Sequence, residues 1–118
     1  MGWPVARISD IAEVVSGGTP KSGVSEYWDG GIEWITPKDM GRARELYVST
    51  TERNISKTGL EQSSAKLIPE NSVILSTRAP IGHLVINAVP MAFNQGCRGL
   101  IPNAKINTKF LYYFLHAN

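Results

Sequence analysis

Glycine and proline punctuate this chain so closely that long regular elements are excluded over most of its length. Eleven glycines and seven prolines fall among 118 residues. Gly17-Gly18 with Pro20, Gly30-Gly31, Pro37, Gly59, Pro69, Pro80 with Gly82, and Gly96 each interrupt an apolar run after a few residues. A proline removes a ladder donor, and a glycine pair brings no side chains to pack, so strands end there. The runs between them are β-branched and short. Segments 11–15, 32–36, 46–51, 73–77, 84–86, 92–94 and 97–101 read as strands, with 84–86 pairing back on 73–77 as a hairpin. Ser9 and Asp10 can cap a single helical turn before the first strand, and Asp29-Gly30-Gly31 and 69–72 read as turns. Segment 38–45 is a charged loop or a short turn of helix, and 56–64 a short helix broken by Gly59. Only the end departs from this pattern. Asn107 can cap a helix in which Phe110, Leu111, Phe114 and Leu115 form one apolar face. The fold class expected is α+β: a β-rich domain of many short strands with a C-terminal helix.

A chain of this length makes one domain, and 42% hydrophobic with 19% charged residues suits a packed core. Cys97 is the only cysteine, so no internal disulfide can form, which favours a reducing compartment. The start, Met1 to Arg7, lacks a signal-peptide pattern, and no apolar run approaches a membrane span. A cytoplasmic protein without membrane contact is the expectation. Net charge is only +2, but it is unevenly spread. Residues 1–35 carry Arg7 and Lys21 against five acids, whereas residues 71–118 carry Arg78, Arg98, Lys105 and Lys109 with no acid. Such asymmetry fits either a face that prefers a polyanion or a solvated surface of mixed charge.

Enzyme motifs are missing. The sequence has no phosphate-binding loop, no G-x-G-x-x-G, no H-E-x-x-H and no G-x-S-x-G. It has neither the glycine-rich cofactor loop nor the Asn-Pro-Pro-type turn of a base methyltransferase, and its ten acids are scattered singly. His83 and His116 lie far apart in the sequence, without metal-ligand spacing. Cys97 sits among apolar residues as a small buried hydrophobe. The sequence therefore predicts no catalytic residue, no metal and no cofactor.

What it does carry is polar corners. Thr19, Lys21 and Ser22 follow paired glycines, so backbone amides, hydroxyls and an ammonium could all donate to a phosphate; the same residues suit a plain turn. Tyr27-Trp28 could stack on a sugar or base, or anchor a loop in the core. Segment 36–44 presents Thr36, Lys38, Asp39, Arg42 and Arg44. Arginine can pair with guanine and aspartate can accept from cytosine, so the mixture suits base readout; a surface loop of compensating charge is the alternative. Thr77 and Arg78 stand at a rigid corner, and Asn94 and Gln95 at a strand break, where carboxamides either read adenine or hold the turn.

In order along the chain, these pieces resemble the target-recognition domains of type I restriction–modification specificity subunits. The matching residues are Trp3-Pro4-Val5 with Ile8 and Asp10 to Glu13, then Ser16 to Pro20, then Tyr27-Trp28. Gly31-Ile32, Trp34 to Met40, Leu67 to Pro69, Ser72 to Gly82, Asn94 to Cys97 with Gly99-Leu100, and Phe110 to Tyr113 complete the set. The resemblance implies a β-rich, double β-helix-like unit with an appended helical hairpin, itself non-catalytic. It implies sequence-specific binding of double-stranded DNA, with partner methyltransferase and restriction subunits directed to one half of a split site. A full subunit pairs two such domains across long helices. Here residues 1–118 read as a single recognition domain without that long helix, which leaves subunit docking and a second recognition domain open. Two other readings remain: a recognition fragment of a single-chain methyltransferase–nuclease, and a protein-interaction module that does not bind DNA. The DNA reading requires Lys21, Lys38, Arg42 and Arg78 to share one surface.

Overall fold

Strand β5 (Val73–Ser76) is buried at every position, because it lies inside a sheet covered on both faces. The computed structural model describes Ile8, residues 10–78 and residues 82–117. The Ser9 cap, the Pro80 corner and the opening Trp3-Pro4-Val5 lie outside the described residues. Five strands form the larger sheet in the order β1 (Ala12–Ser16), β8 (Cys97–Pro102), β5, β6 (Leu84–Asn87), β3 (Tyr47–Val48). All neighbours there are antiparallel except β3 with β6. The smaller sheet has β4 (Arg53–Ile55) antiparallel and β7 (Ala92–Phe93) parallel to a central β2 (Trp28–Ile35). The described residues also include the 3-10 turn Ser25–Tyr27 and the helices α1 (Pro37–Arg42), α2 (Lys57–Glu61) and α3 (Thr108–Ala117), and Ile8, Asp10 and Ile11 are helical ahead of β1.

Alternation along the strands sorts the core into layers. Val73 and Leu75 face α3, where Leu111 and Leu115 join them with Ile86 and Leu100. Ile74 points the other way, into a middle layer with Val85, Cys97, Ile35 and Phe93. On the far face of the small sheet Trp28 and Trp34 pack edge to face, 5.2 Å apart, with Ile55 and Ala92. Short strands thus suffice, because each places neighbouring residues in two different layers. Among the described residues, no helix is long and apolar enough to cross a membrane.

The α+β architecture, the 84–86 hairpin partner and the terminal helix stand as expected, with Asn107 Oδ1 accepting from the backbone N–H of Lys109 and Phe110 at 2.9 and 3.2 Å. Four expectations need correction. Asp29-Gly30-Gly31 does not reverse the chain: β2 runs through it as a bulge, with Trp28 and Ile32 both opposite Ile55. Asp29 and Gly31 take positive φ of 59° and 91°, and Asn54 Oδ1 accepts from Gly31 N, which lets the extra residues leave the ladder. Gly59 does not break α2; a Cβ there would lie 2.3 Å from the Tyr27 carbonyl oxygen, so the close approach requires glycine. The strand expected over 46–51 pairs only at Tyr47–Val48, because the chain then crosses to the other sheet to form β4. Phe110 remains 57% exposed, since β5 and β6 cover only the Leu111–Leu115 stripe.

Candidate nucleic-acid interface

The strand registers bring four polar loops to one end of the molecule. Ser16, the last residue of β1, pairs with Arg98 near the start of β8. Ser76, the last of β5, pairs with Cys97. Ile35 and Phe93 pair as the last residues of the parallel strands β2 and β7. The loops that follow β1, β2, β5 and β7 therefore leave from a common edge, and they contain every residue singled out in the sequence as a DNA contact.

They meet at the turn Asn94-Gln95-Gly96, which carries the chain from the small sheet to the large one. Asn94 N donates to the Ile35 carbonyl at 3.1 Å, and Asn94 Oδ1 accepts from Gly96 N at 2.9 Å, closing a side-chain turn. The Gly96 carbonyl accepts from Thr77 N at 2.8 Å, Arg78 N at 3.3 Å and Thr77 Oγ1 at 3.2 Å. Thr19 Oγ1 donates to Gln95 Oε1 from the first loop. Gly18 N donates to the Phe93 carbonyl at 3.0 Å, and a Cβ on Gly17 would fall 2.0 Å from the Asn94 carbonyl oxygen. A Cβ on Gly96 would have Pro37 Cγ at 3.1 Å and Arg78 Cδ at 3.2 Å. The starts of α1 and of the Arg78 loop thus flank one glycine. Arg98, absent from the sequence-level candidates, clamps the turn through Nη1 to the Gln95 and Cys97 carbonyls at 3.1 and 2.9 Å.

Within segment 36–44 the structure takes the helical alternative over Pro37–Arg42, with Thr36 as its N-cap, and Ala43 and Arg44 leave the helix. Thr36 and Asp39 form a capping box: Thr36 Oγ1 accepts from Asp39 N, and Asp39 Oδ2 accepts from Thr36 N at 3.0 Å and from Thr36 Oγ1 at 3.2 Å. Asp39 Oδ1 accepts from Glu52 N at 3.3 Å, so both carboxylate oxygens are engaged within the protein. Pro37 and Met40 face the core, which leaves Lys38 and Arg42 exposed at i and i+4 on one outward face. Arg42 meets Glu52 at 3.2 Å, with both side chains more than half exposed. That pair is open to water and salt, so its attraction is small and another anion can replace it. Arg44 and Ser22 are exposed.

Lys21 is held from below. Its carbonyl accepts from Trp28 Nε1 at 3.1 Å, while Trp34 Nε1 donates to the Gly18 carbonyl at 3.0 Å. The two tryptophans therefore brace the first loop, which answers whether Trp28 stacks outward or anchors inward: it is buried. Arg53 also went unnoticed in the sequence. Its guanidinium carbon stands 3.7 Å from the Trp28 ring centroid, beside the Lys21 loop. No local pattern could have indicated this, because Arg53 reaches Trp28 only through the β2–β4 pairing.

Chemically the described residues of the site offer hydrogen-bond donors and cations on loops tied to one another. The Cys97 thiol is pushed up to about 12, first by burial and then by the Asp39 carboxylate, with Arg98 opposing. It stays protonated and contacts Met40 Sδ at 3.8 Å. Among the described residues, no three His, Cys, Asp or Glu side chains gather as metal ligands.

Over residues 1–118 the chain matches the family described as type I restriction modification DNA specificity domain. It is 41% identical over 111 residues to the type I restriction enzyme MjaIX specificity subunit of Methanocaldococcus jannaschii, covering 94% of this chain and 26% of that protein. It is 35% identical over 113 residues to the EcoR124I/EcoR124II specificity subunit of Escherichia coli, covering 92% and 27%. The fold superimposes on the HsdS subunit from Thermoanaerobacter tengcongensis with a TM-score of 0.73 at 20% identity, covering 92% of this chain and 26% of that one. The chain thus spans about a quarter of the relatives it matches. From the motif order, the two-sheet fold and these likenesses, the chain belongs to the type I restriction modification DNA specificity domain family.

Proposed function

We propose that this domain binds double-stranded DNA and reads its sequence, without catalysing a reaction itself. Acting in a specificity subunit, it directs partner methyltransferase and restriction subunits to one half of a split site. A second recognition domain reads the other half. The observation that carries this reading is the convergence of four polar loops on the Gly96 turn. Loops tied to each other lose little freedom on binding, so their donors meet a duplex at low entropic cost.

Within that surface Lys21, Lys38 and Arg78 set the position on the phosphate backbone, helped by the exposed Ser22 hydroxyl, while Thr19 and Thr77 spend their hydroxyl protons on Gln95 and Gly96 and hold the loops. Arg42 and Arg44 carry base discrimination from the exposed end of α1 and the residues after it. Asn94 retains an amide nitrogen without a hydrogen-bond partner among the described residues, which suits it to an acceptor in a groove. The exposed Gln95 likewise engages only its Oε1 among the described residues and keeps an amide donor for the groove, whereas Asp39 and Thr36 act indirectly, because their polar groups already hold the α1 start.

The test is fluorescence anisotropy with matched and unrelated duplexes. Neutralising about four to six phosphates predicts an affinity loss of roughly two to three orders of magnitude between 50 and 200 mM salt. Affinity indifferent to salt would count against the proposal. Arg42→Ala and Arg44→Ala should each lower affinity for the matched site by roughly 5- to 150-fold and relax its selectivity. Equal loss on every sequence would demote both to phosphate contacts. Calorimetry with S-adenosylmethionine should show no binding to this chain alone.

A further inference from the structure

Arg53 is a cation laid over an aromatic ring and, among the described residues, outside any ion pair. It sits on edge strand β4, opposite Trp34, and its guanidinium carbon lies 3.7 Å from the Trp28 ring centroid and 6.0 Å from that of Trp34. A guanidinium stacked on an indole keeps its N–H donors pointing outward in its own plane, where they fit two phosphate oxygens. The neighbouring carboxylates are committed elsewhere. Glu52 pairs with Arg42, and Glu33 Oε1 accepts from Thr51 N and Thr51 Oγ1 at 2.8 and 2.9 Å. Among the described residues, Arg53 makes no ion pair, and it is exposed.

The same indole that carries Arg53 on its face holds the Lys21 carbonyl on its edge nitrogen. One buried ring therefore anchors the backbone from which the exposed Lys21 side chain extends and carries the exposed Arg53 guanidinium on its face. We propose that Arg53 and Lys21, braced by Trp28, form a two-point clamp for a phosphodiester backbone, adjoining the Gly96 turn. The clamp rests on the DNA-binding reading and extends it. The grip reaches beyond the four loops onto the outer face of the small sheet, and Trp28 serves as a positioning residue. Since its ligand is the phosphate, the clamp contributes equally on every base sequence.

The experiment is a salt titration of anisotropy with a labelled random-sequence duplex, using the full 118-residue chain, Arg53→Gln and Arg53→Lys. Loss of one phosphate contact lowers the slope of log affinity against log salt by about 0.9. Between 50 and 200 mM salt, the Gln variant should therefore lose roughly 3.5-fold less affinity than the parent. The Lys variant keeps the charge and should keep the slope. An Arg53→Gln slope equal to the parent's overturns the clamp while leaving DNA binding intact; absence of binding by the parent sinks the underlying reading as well. A second measurement needs no variant. Modification of Arg53 by phenylglyoxal, read by peptide mass mapping, should slow when duplex is added, and an unchanged rate also overturns the clamp.

Discussion

Asn87 shows how much a single polar side chain can organise in this fold. It is fully buried at the end of β6. Its Nδ2 donates to the Pro69 and Val89 carbonyls at 2.8 and 2.9 Å, and its Oδ1 accepts from Ser72 N at 3.0 Å. Backbone groups from two different turns thus meet on one carboxamide, and the Ser72 N–H among them is buried. Asn87→Leu matches its size but takes the partner from Ser72 N and the Val89 carbonyl, each at a cost of about 1–3 kcal/mol before relaxation, while the Pro69 carbonyl keeps Ser72 Oγ at 2.8 Å. A loss of at least about 2 kcal/mol is expected in urea denaturation. A change below about 0.5 kcal/mol would mean that the turns satisfy themselves. Nothing in the Ile86-Asn87-Ala88 run distinguishes this asparagine from a surface one, because its partners are set by the packing of two turns.

At the scale of elements, α1 and α2 are shorter than two full turns and stand through their caps and contacts rather than through propensity. Propensity even points the wrong way in α2. Gly59→Ala should favour an isolated helix by about 1 kcal/mol, yet the added Cβ would sit 2.3 Å from the Tyr27 carbonyl oxygen. Overpacking costs about 1–3 kcal/mol, so steric conflict wins and the substitution destabilises. A higher melting temperature for Gly59→Ala would show that α2 moves freely over the 3-10 turn Ser25–Tyr27. The capping box of α1 was within reach of sequence reasoning, since Thr36-Pro37-Lys38-Asp39 has the required spacing. The same residues also suit a charged surface loop or base readout, so the spacing alone leaves the helix as one alternative among these.

The molecule as a whole joins its two sheets through a middle layer that contains Cys97 and meets the candidate interface at its end. That layer gives stability a pH dependence with a definite sign. The thiol's ordinary value is 9.0, and the folded protein holds it at about 12. Between those limits the unfolded chain releases the proton and the folded chain keeps it. The contribution is therefore complete below pH 9 and is lost as pH rises toward 12. The fall is at most about 1.4 kcal/mol per pH unit. Comparing wild type with Cys97→Ala isolates it from lysine and tyrosine titration. The variant's stability should decline less steeply over pH 9–11, and parallel curves would contradict the burial argument.

The sequence alone determined the alternation of apolar runs and Gly/Pro corners, and with it the class of fold, the terminal helix and the family resemblance. These depend on neighbours within a few residues, where backbone sterics and side-chain periodicity act directly. Tertiary structure decided what the corners are for. That Gly96 receives Thr77 and Arg78, that Gln95 holds Thr19, and that Arg53 lies on Trp28 all require strands distant in sequence to pair in one register. The same polar residue can close a turn or face a ligand, and only the positions of its non-local neighbours decide which.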